Sequence, residues 1–532
     1  MRILTIAILL AAAATAMGQV TNQETRRLSL EECIETALQH NLTIQIGRYS
    51  PDISRYSLRA DYGAYDPTVS VSGTHQYSMS AGGVDAQGRG YAGNETESDS
   101  FSAGLSGLLP SGLTYSLGGN ITDTYGTRPS AVPDFSQPTL VTNFFTDTTT
   151  GNLLGLRSVE YPSVVVRSPF ENTSGSVGAL QLRQPLLRGF WIDSVRLQIY
   201  VDKKNVQISD WELRRQVMST VTAVEEAYYN LIYAQDYVRV QQKALELAER
   251  SVAENRKRVE VGAMAPLDEK QSEAQAASSR ADLLDAEGRE ATAQRVLKNL
   301  LSDDYSKWSK VLIQPTLALV AVPERFELQE SWQNGLRLRP DLAQRRLELD
   351  QQNYRVRYQK NQILPQVDVI GTYGHSGSAS EYAGAFSQFG NGDNPFYTYG
   401  AQLNVPLTRT TSRNNYRIAK ASKEQIVLTV RQLEQSVLIE IEDALARVNT
   451  SFQRVGATRE ARIYAEAALE AEQKKLASGK STSFEVLSLQ RVLTSSRGDE
   501  IRALADYNIA LARLSAAEGT TLERRHVNLD IR

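Results

Sequence analysis

Two stretches of the chain, 186–265 and 407–532, contain no proline, and they limit the possible folds more than any other feature. In the second, Ile426, Val430, Leu433, Val437, Ile441, Ala444 and Val448 recur at steps of three and four, with polar residues between them. That is the period of an amphipathic or coiled-coil helix. A run of about 65 residues at roughly 1.5 Å each makes a helix near 100 Å long, which cannot pack into one compact core. Gly262 and Gly479 end the two long runs, and helical sequence resumes behind Pro266 and behind the box Thr482-x-x-Glu485. A glycine stop followed by such starts is a helix–turn–helix pattern. The spacing predicts two long helical hairpins, with many alanines allowing close packing within each.

Between the helical runs the period changes to two. Phe101, Ala103, Leu105, Gly107 and Leu109 alternate with Ser and Gly, and Leu113, Tyr115, Leu117, Gly119 and Ile121 alternate with Thr, Ser and Asn. The segments around Val367–Tyr373 and Tyr397–Val405 do the same. One apolar and one small or polar face over about 10 residues is the pattern of a membrane β-barrel strand, although soluble sandwiches share it. The N-terminus favours the barrel. Residues 1–18, MRILTIAILLAAAATAMG, combine Arg2, an apolar run and the small residues Ala14-Thr15-Ala16. This is a secretory signal, with cleavage after Ala16 or after Gly18 fitting equally. No later stretch of about 18 apolar residues occurs, so no membrane-spanning helix is expected in the mature chain. Tyr outnumbers Phe by 24 to 12, which suits rings in an apolar layer with hydroxyls in water. Phe190-Trp191 reads as part of such an aromatic girdle.

Several function classes drop out. The single cysteine, Cys33, permits neither an intramolecular disulfide framework nor a multi-cysteine zinc site. It lies well past the cleavage zone and reads as a small buried thiol on an amphipathic helix. The four histidines are far apart, and a formal charge of -3 argues against a nucleic-acid partner. No GxxxxGK[ST], GxSxG or HExxH motif is present. No catalytic residue, cofactor or metal is therefore expected. The adjacent acids Glu225 and Glu226 read as solvated surface.

The chain also resembles itself. YDPTVSVSG (65–73) matches ILPQVDVIG (363–371), GALQLRQPLL (178–187) matches GAQLNVPL (400–407), and VEVGAMAPLD (259–268) matches LASGKSTSFE (476–485). The order is the same in both halves. A signal peptide (1–18), a first helix–strand–hairpin repeat (19–300), a connecting segment (301–330), a second repeat (331–516) and a tail (517–532) follow from this. These pieces, with LSLEECIETALQHN near the start and FEVLSLQRVLTSSRGDEIRALADYNIALARLSAAEG near the end, resemble the TolC-like outer-membrane efflux protein family over about 28–520. No single piece is specific; their duplicated order is. The resemblance implies an α+β membrane protein built from two internal repeats. Long helical hairpins would form a periplasmic tunnel, continued by a transmembrane β-barrel shared among the chains of a homotrimer in outer-membrane lipid. It implies an exit duct of a tripartite efflux or type I secretion system, contacting a periplasmic adaptor and an inner-membrane transporter. The sequence does not choose the cargo. An exported trimeric coiled-coil adhesin or structural surface protein is the alternative.

The resemblance also assigns residues. Acidic groups just after each glycine turn line the tunnel entrance in the family; the matching positions are Asp268 and Glu485, with Ser488 where a second acid is often found. Helix N-terminal dipoles give the same two carboxylates a purely local role. Leu476 and Ser481 stand where a latching Tyr and Arg occur in the best-known member. Gly262, Pro266, Gly479, Lys480 and Thr482 would form the tips that meet the adaptor, beside Arg256, Arg258, Lys474 and Lys475. Pro67, Pro185, Pro365 and Pro406 would fix the change of direction between helix and strand. The family usually has two strands per repeat, yet in repeat one 67–79, 100–109, 113–121 and 176–184 all alternate. Two arrangements stay open: four strands per chain with 100–121 a hairpin inserted above the membrane, or six per chain. Residues 122–175, rich in Thr, Ser, Pro and Asn, read as an exposed extracellular loop.

Overall fold

The computed structural model describes residues 24–85, 88–262 and 264–527. The export signal at 1–18 lies outside them. The described chain forms two units, a helical one (24–58, 201–353 and 421–527) and a sheet one (59–200 and 354–420).

The helical unit is built on the long periodic runs. Helix α1 is Leu30–His40 and α2 is Leu42–Tyr62. The runs themselves form α3 (Ser194–Glu260) and α4 (Pro266–Leu301), then α8 (Thr410–Ala477) and α9 (Ser483–Glu518). Helix α1 starts at a capping box. The Ser29 hydroxyl accepts from the Glu32 amide at 3.2 Å, and the Glu32 carboxylate accepts from the Ser29 amide at 2.7 Å. Its apolar stripe, with Cys33, Ile34 and Ala37, packs on Val217, Val221, Val224 and Leu231 of α3 and on Leu297 and Leu301 of α4. A short parallel pair joins the chain start to the connecting segment: β1 (Glu24–Leu28) lies beside β8 (Val311–Pro315). Tyr228 of α3 ties both strand ends, donating to the Leu28 carbonyl at 3.0 Å and accepting from the Thr316 amide at 3.2 Å. The second hairpin is fastened by charge as well as by apolar contact. Arg462 pairs with Glu500 at 2.5 Å and Arg497 with Glu466 at 2.8 Å. The Arg497 hydrogen bond holds the Glu466 carboxyl below its usual range against the cost of desolvation.

In the sheet unit, the period-two segments form one six-stranded antiparallel sheet. The strands are β2 (Thr68–Met79), β3 (Glu95–Leu108), β4 (Thr114–Pro133), β7 (Ser163–Pro185), β9 (Gln366–Ala379) and β10 (Pro395–Asn404). The spatial order is β10-β9-β7-β4-β3-β2, so β2 and β10 are the two edges. A separate hairpin, β5 (Thr139–Thr146) with β6 (Leu153–Glu160), sits between β4 and β7 in sequence. Three further helices flank the second pair of strands in sequence: α5 (Leu328–Leu338) and α6 (Pro340–Asn361) before β9, and α7 (Tyr382–Asn391) between β9 and β10.

Two sequence expectations are corrected. Residues 122–175 are largely strand, not loop. β4 continues to Pro133 and pairs with β7 out to Ser163, forming a long two-stranded ribbon. Thr, Ser and Asn suit a strand whose two faces are both wet, so composition alone could not separate the cases. Glu225 is not solvated surface. It is buried and pairs with Arg525 at 2.5 Å, while Glu226 pairs with Arg513 at 2.7 Å.

Cys33 is wholly buried, and loss of solvation, reinforced by Glu32, pushes its thiol up to about 12. At pH 8 a water-soluble maleimide should leave the native protein unlabelled and label it after denaturation. Tyr228→Phe removes the hydroxyl's bonds to the Leu28 carbonyl and to the Thr316 and Leu317 amides, costing about 1–2 kcal/mol. Cys33 should then become reactive at lower denaturant; an unchanged midpoint would deny Tyr228 its linking role.

Candidate functional site at the hairpin turns and strand ends

The first hairpin turns at Gly262. Its amide donates to the Val259 carbonyl at 3.0 Å, and its φ of +73° is left-handed, which a Cβ would strain. Ala265 then caps α4 without a side-chain bond, Pro266 takes the first turn, and Asp268 and Glu269 sit at the positive end of the helix. The second turn is a Schellman motif. The Lys480 amide donates to the Lys475 carbonyl at 2.9 Å and the Gly479 amide to the Leu476 carbonyl at 3.1 Å, with Gly479 at φ +72°. The Thr482 hydroxyl accepts from the Glu485 amide at 3.4 Å. Only this half of the expected box forms among the described residues, because the Glu485 side chain is exposed rather than turned back. Ser488 lies one turn further on, partly buried.

The positions that match the family's latch are engaged within their own hairpin. Leu476 packs against the Ala465, Leu469, Val486 and Leu493 cluster. The Ser481 hydroxyl donates to Glu472 at 2.5 Å, and Lys475 pairs with the same carboxylate at 2.8 Å. Those bonds, that from Lys475 first, hold Glu472 below its usual range. The basic residues divide. Lys474 pairs with Glu470 at 2.7 Å and Arg256 with Glu260 at 3.6 Å. Lys257, Arg258 and Lys480 make no ion pair among the described residues.

One residue that joins the two hairpins near their turns is not marked by any sequence pattern. Asn255 of α3 is buried, and its amide nitrogen donates to Ser272 of α4 at 2.6 Å and to Ser483 of α9 at 2.8 Å. All three side chains are closed off from solvent; the Ser272 hydroxyl also donates to the Asp268 carbonyl at 2.9 Å, whereas Ser483 is bonded through Asn255. In one dimension they look like surface polar residues; the only hint was small hydroxyls on helices otherwise rich in alanine.

At the strand ends, Pro67 precedes β2, Pro185 ends β7, Pro365 precedes β9, and Pro406 lies two residues past β10. The strand ends and the segments beside them are cross-linked. Arg183 holds Asp368 at 2.6 Å, Arg188 reaches Gln362 at 2.8 Å, and the Asn361 side chain accepts from the Gly189 amide at 2.8 Å. Phe190 and Trp191 make an edge-on pair in the loop after β7, with Trp191 79% exposed.

Asn255→Ala leaves Ser272 and Ser483 without their buried partner, at a cost of about 1–3 kcal/mol. Trypsin should then cut after Lys257 and Arg258 faster than in the parent protein; an unchanged rate would deny the bridge any part in holding the tips.

A family model described as outer membrane efflux protein matches residues 156–302 and 332–520. The outer membrane protein TolC of Vibrio cholerae is 25% identical over 366 residues, 67% of this chain and 80% of that protein. Its namesake in Escherichia coli is 22% identical over 361 residues, covering 66% and 71%. Among solved structures, the outer-membrane channel OprN superposes with a TM-score of 0.64 at 15% identity, covering 92% of this chain and 90% of that one. The Campylobacter jejuni CmeC outer membrane channel gives 0.63 at 15%, covering 94% and 90%. The matched segments span more than half of the sequence, and the chain belongs to the outer membrane efflux protein family.

Proposed function

We propose that this chain is one of three copies that together form an exit duct through the outer membrane, passive itself and fed by an inner-membrane transporter through a periplasmic adaptor. The observation that carries this reading is the sheet. Its edge strands, β2 and β10, are exposed, and each lacks an outer neighbour among the described residues. In lipid, unpaired backbone groups cost several kcal/mol each, so a spanning sheet must close on other copies. A coiled-coil adhesin has no use for such a sheet. The count of three comes from the family. The reading gives each half of the chain the same parts, strands in the barrel and a hairpin in the tunnel. The segment 301–330 and the tail would gird the tunnel, where Tyr507 already donates to the Val322 carbonyl at 2.5 Å. The duct serves drug efflux and type I secretion equally well on these grounds.

The turns would then be the periplasmic entrance. Threefold symmetry makes a ring of each Asp268 and each Glu485, with Ser488 behind them, and a ring of carboxylates favours cations. Gly262, Pro266, Gly479, Lys480 and Thr482 shape the surface offered to the adaptor, and Lys257, Arg258 and Lys480 give it positive charge. In planar bilayers, the trimer should conduct with cation preference, and Glu485→Gln should lower the cation-to-anion permeability ratio severalfold. An unchanged ratio would leave Glu485 only its place in the first turn of α9.

A further inference from the structure

The family model leaves residues 24–155 unmatched, and that segment contains β2 and the whole β3–β4 hairpin. We propose, building on the duct reading above, that the β3–β4 hairpin is part of the membrane wall. Each chain would then contribute six strands, and the partner of its open edge is a second copy of itself. A trimer closes with eighteen strands.

The register carries the argument. A single row of paired residues crosses all six strands through Val69, Leu105, Leu117, Leu180, Tyr373 and Tyr397. Every member is apolar. The next row crosses through Thr68, Ser106, Ser116, Gln181, Thr372 and Thr398, and every member is polar. Adjacent rows point to opposite faces of a sheet. Along these two rows one face is apolar and the other polar from edge to edge, with no break at the hairpin. A hairpin standing clear of the membrane has no reason to continue both faces.

The hairpin also starts at the right height. Its turn, 109–113, lies against the strand ends that lead into the helices. Gln184 donates to the Ser111 carbonyl at 3.2 Å. A Cβ on Gly112 would come within 3.0 Å of Arg196 and 3.5 Å of Pro185. The short turn is therefore on the helix side, and the long connections are on the other, as in membrane barrels. The polar row sits at the first residue of β2, two residues in from the ends of β3 and β4, four in from Pro185, and six in from the ends of β9 and β10. That stagger corresponds to a strand tilt of about 40°, the value barrel closure requires.

An even number of strands leaves β2 and β10 running in opposite directions. The β10 edge of one copy then meets the β2 edge of the next as an antiparallel pair, head to tail around the ring. Eighteen strands at this tilt enclose a barrel about 35 Å across between backbones, against about 25 Å for twelve. The wider bore would pass bulkier cargo.

Single cysteines test this in outer-membrane vesicles holding the full-length protein, since buried Cys33 stays silent. The variants are Leu105→Cys and Leu117→Cys on the apolar row, Ser106→Cys and Ser116→Cys on the polar row, and Tyr397→Cys and Thr398→Cys as the β10 reference. A water-soluble maleimide should label the apolar-row positions about tenfold more slowly than the polar-row ones in both the hairpin and β10, because only the latter face the wet lumen. Alternation in β10 with equal labelling of all four hairpin positions would overturn the six-strand wall and leave the duct intact. Loss of alternation in β10 as well would overturn the duct reading itself.

Discussion

A β-sheet can cross lipid only where every backbone N–H and C=O finds a partner, and this sheet ends on two strands, β2 and β10, that have no outer neighbour among the described residues. Much of the molecule can be read from that constraint. The polar and apolar faces are consistent with lumen on one side and hydrocarbon on the other. The opposed directions of β2 and β10 let identical copies satisfy each other without a second kind of chain. The prolines and the Arg183–Asp368 pair stand where the chain leaves the sheet, so the strand ends are held at defined positions.

The helical unit answers a different problem. Of the helices of 67 and 68 residues, α8 buries only a narrow stripe along most of its length, whereas α3 is largely covered over 201–241. Apolar packing is concentrated where α1, β8 and the connecting segment add further layers around Tyr228. Beyond that, charge and buried polar contacts join the helices: Arg462 with Glu500, Arg497 with Glu466, and Asn255 with its two serines. Such contacts depend on geometry more than greasy ones do. A small relative movement of the hairpins would break the buried bond from Asn255 to Ser483.

Much of this was legible in the sequence because it is periodic. Steps of three and four placed the long helices, and the two glycine turns fall at Gly262 and Gly479 with left-handed φ. Period two placed the strands, including the hairpin whose position was left open between two arrangements. What could not be read depends on partners distant in sequence. Residues 122–175 became a strand ribbon because β4 and β7 find each other, while their Thr, Ser and Asn content fits a loop equally well. Glu225 is buried because Arg525, 300 residues away, neutralises it. Asn255 matters only through Ser272 and Ser483, and no local pattern ties those three together.

The most direct measurement is electron cryo-microscopy of the detergent-purified protein viewed along and across its axis. The account predicts a hollow particle of three chains, with an eighteen-stranded barrel continued by a tunnel of paired helices. A monomer whose sheet edges stay open, or a solid helical rod without a lumen, would contradict it.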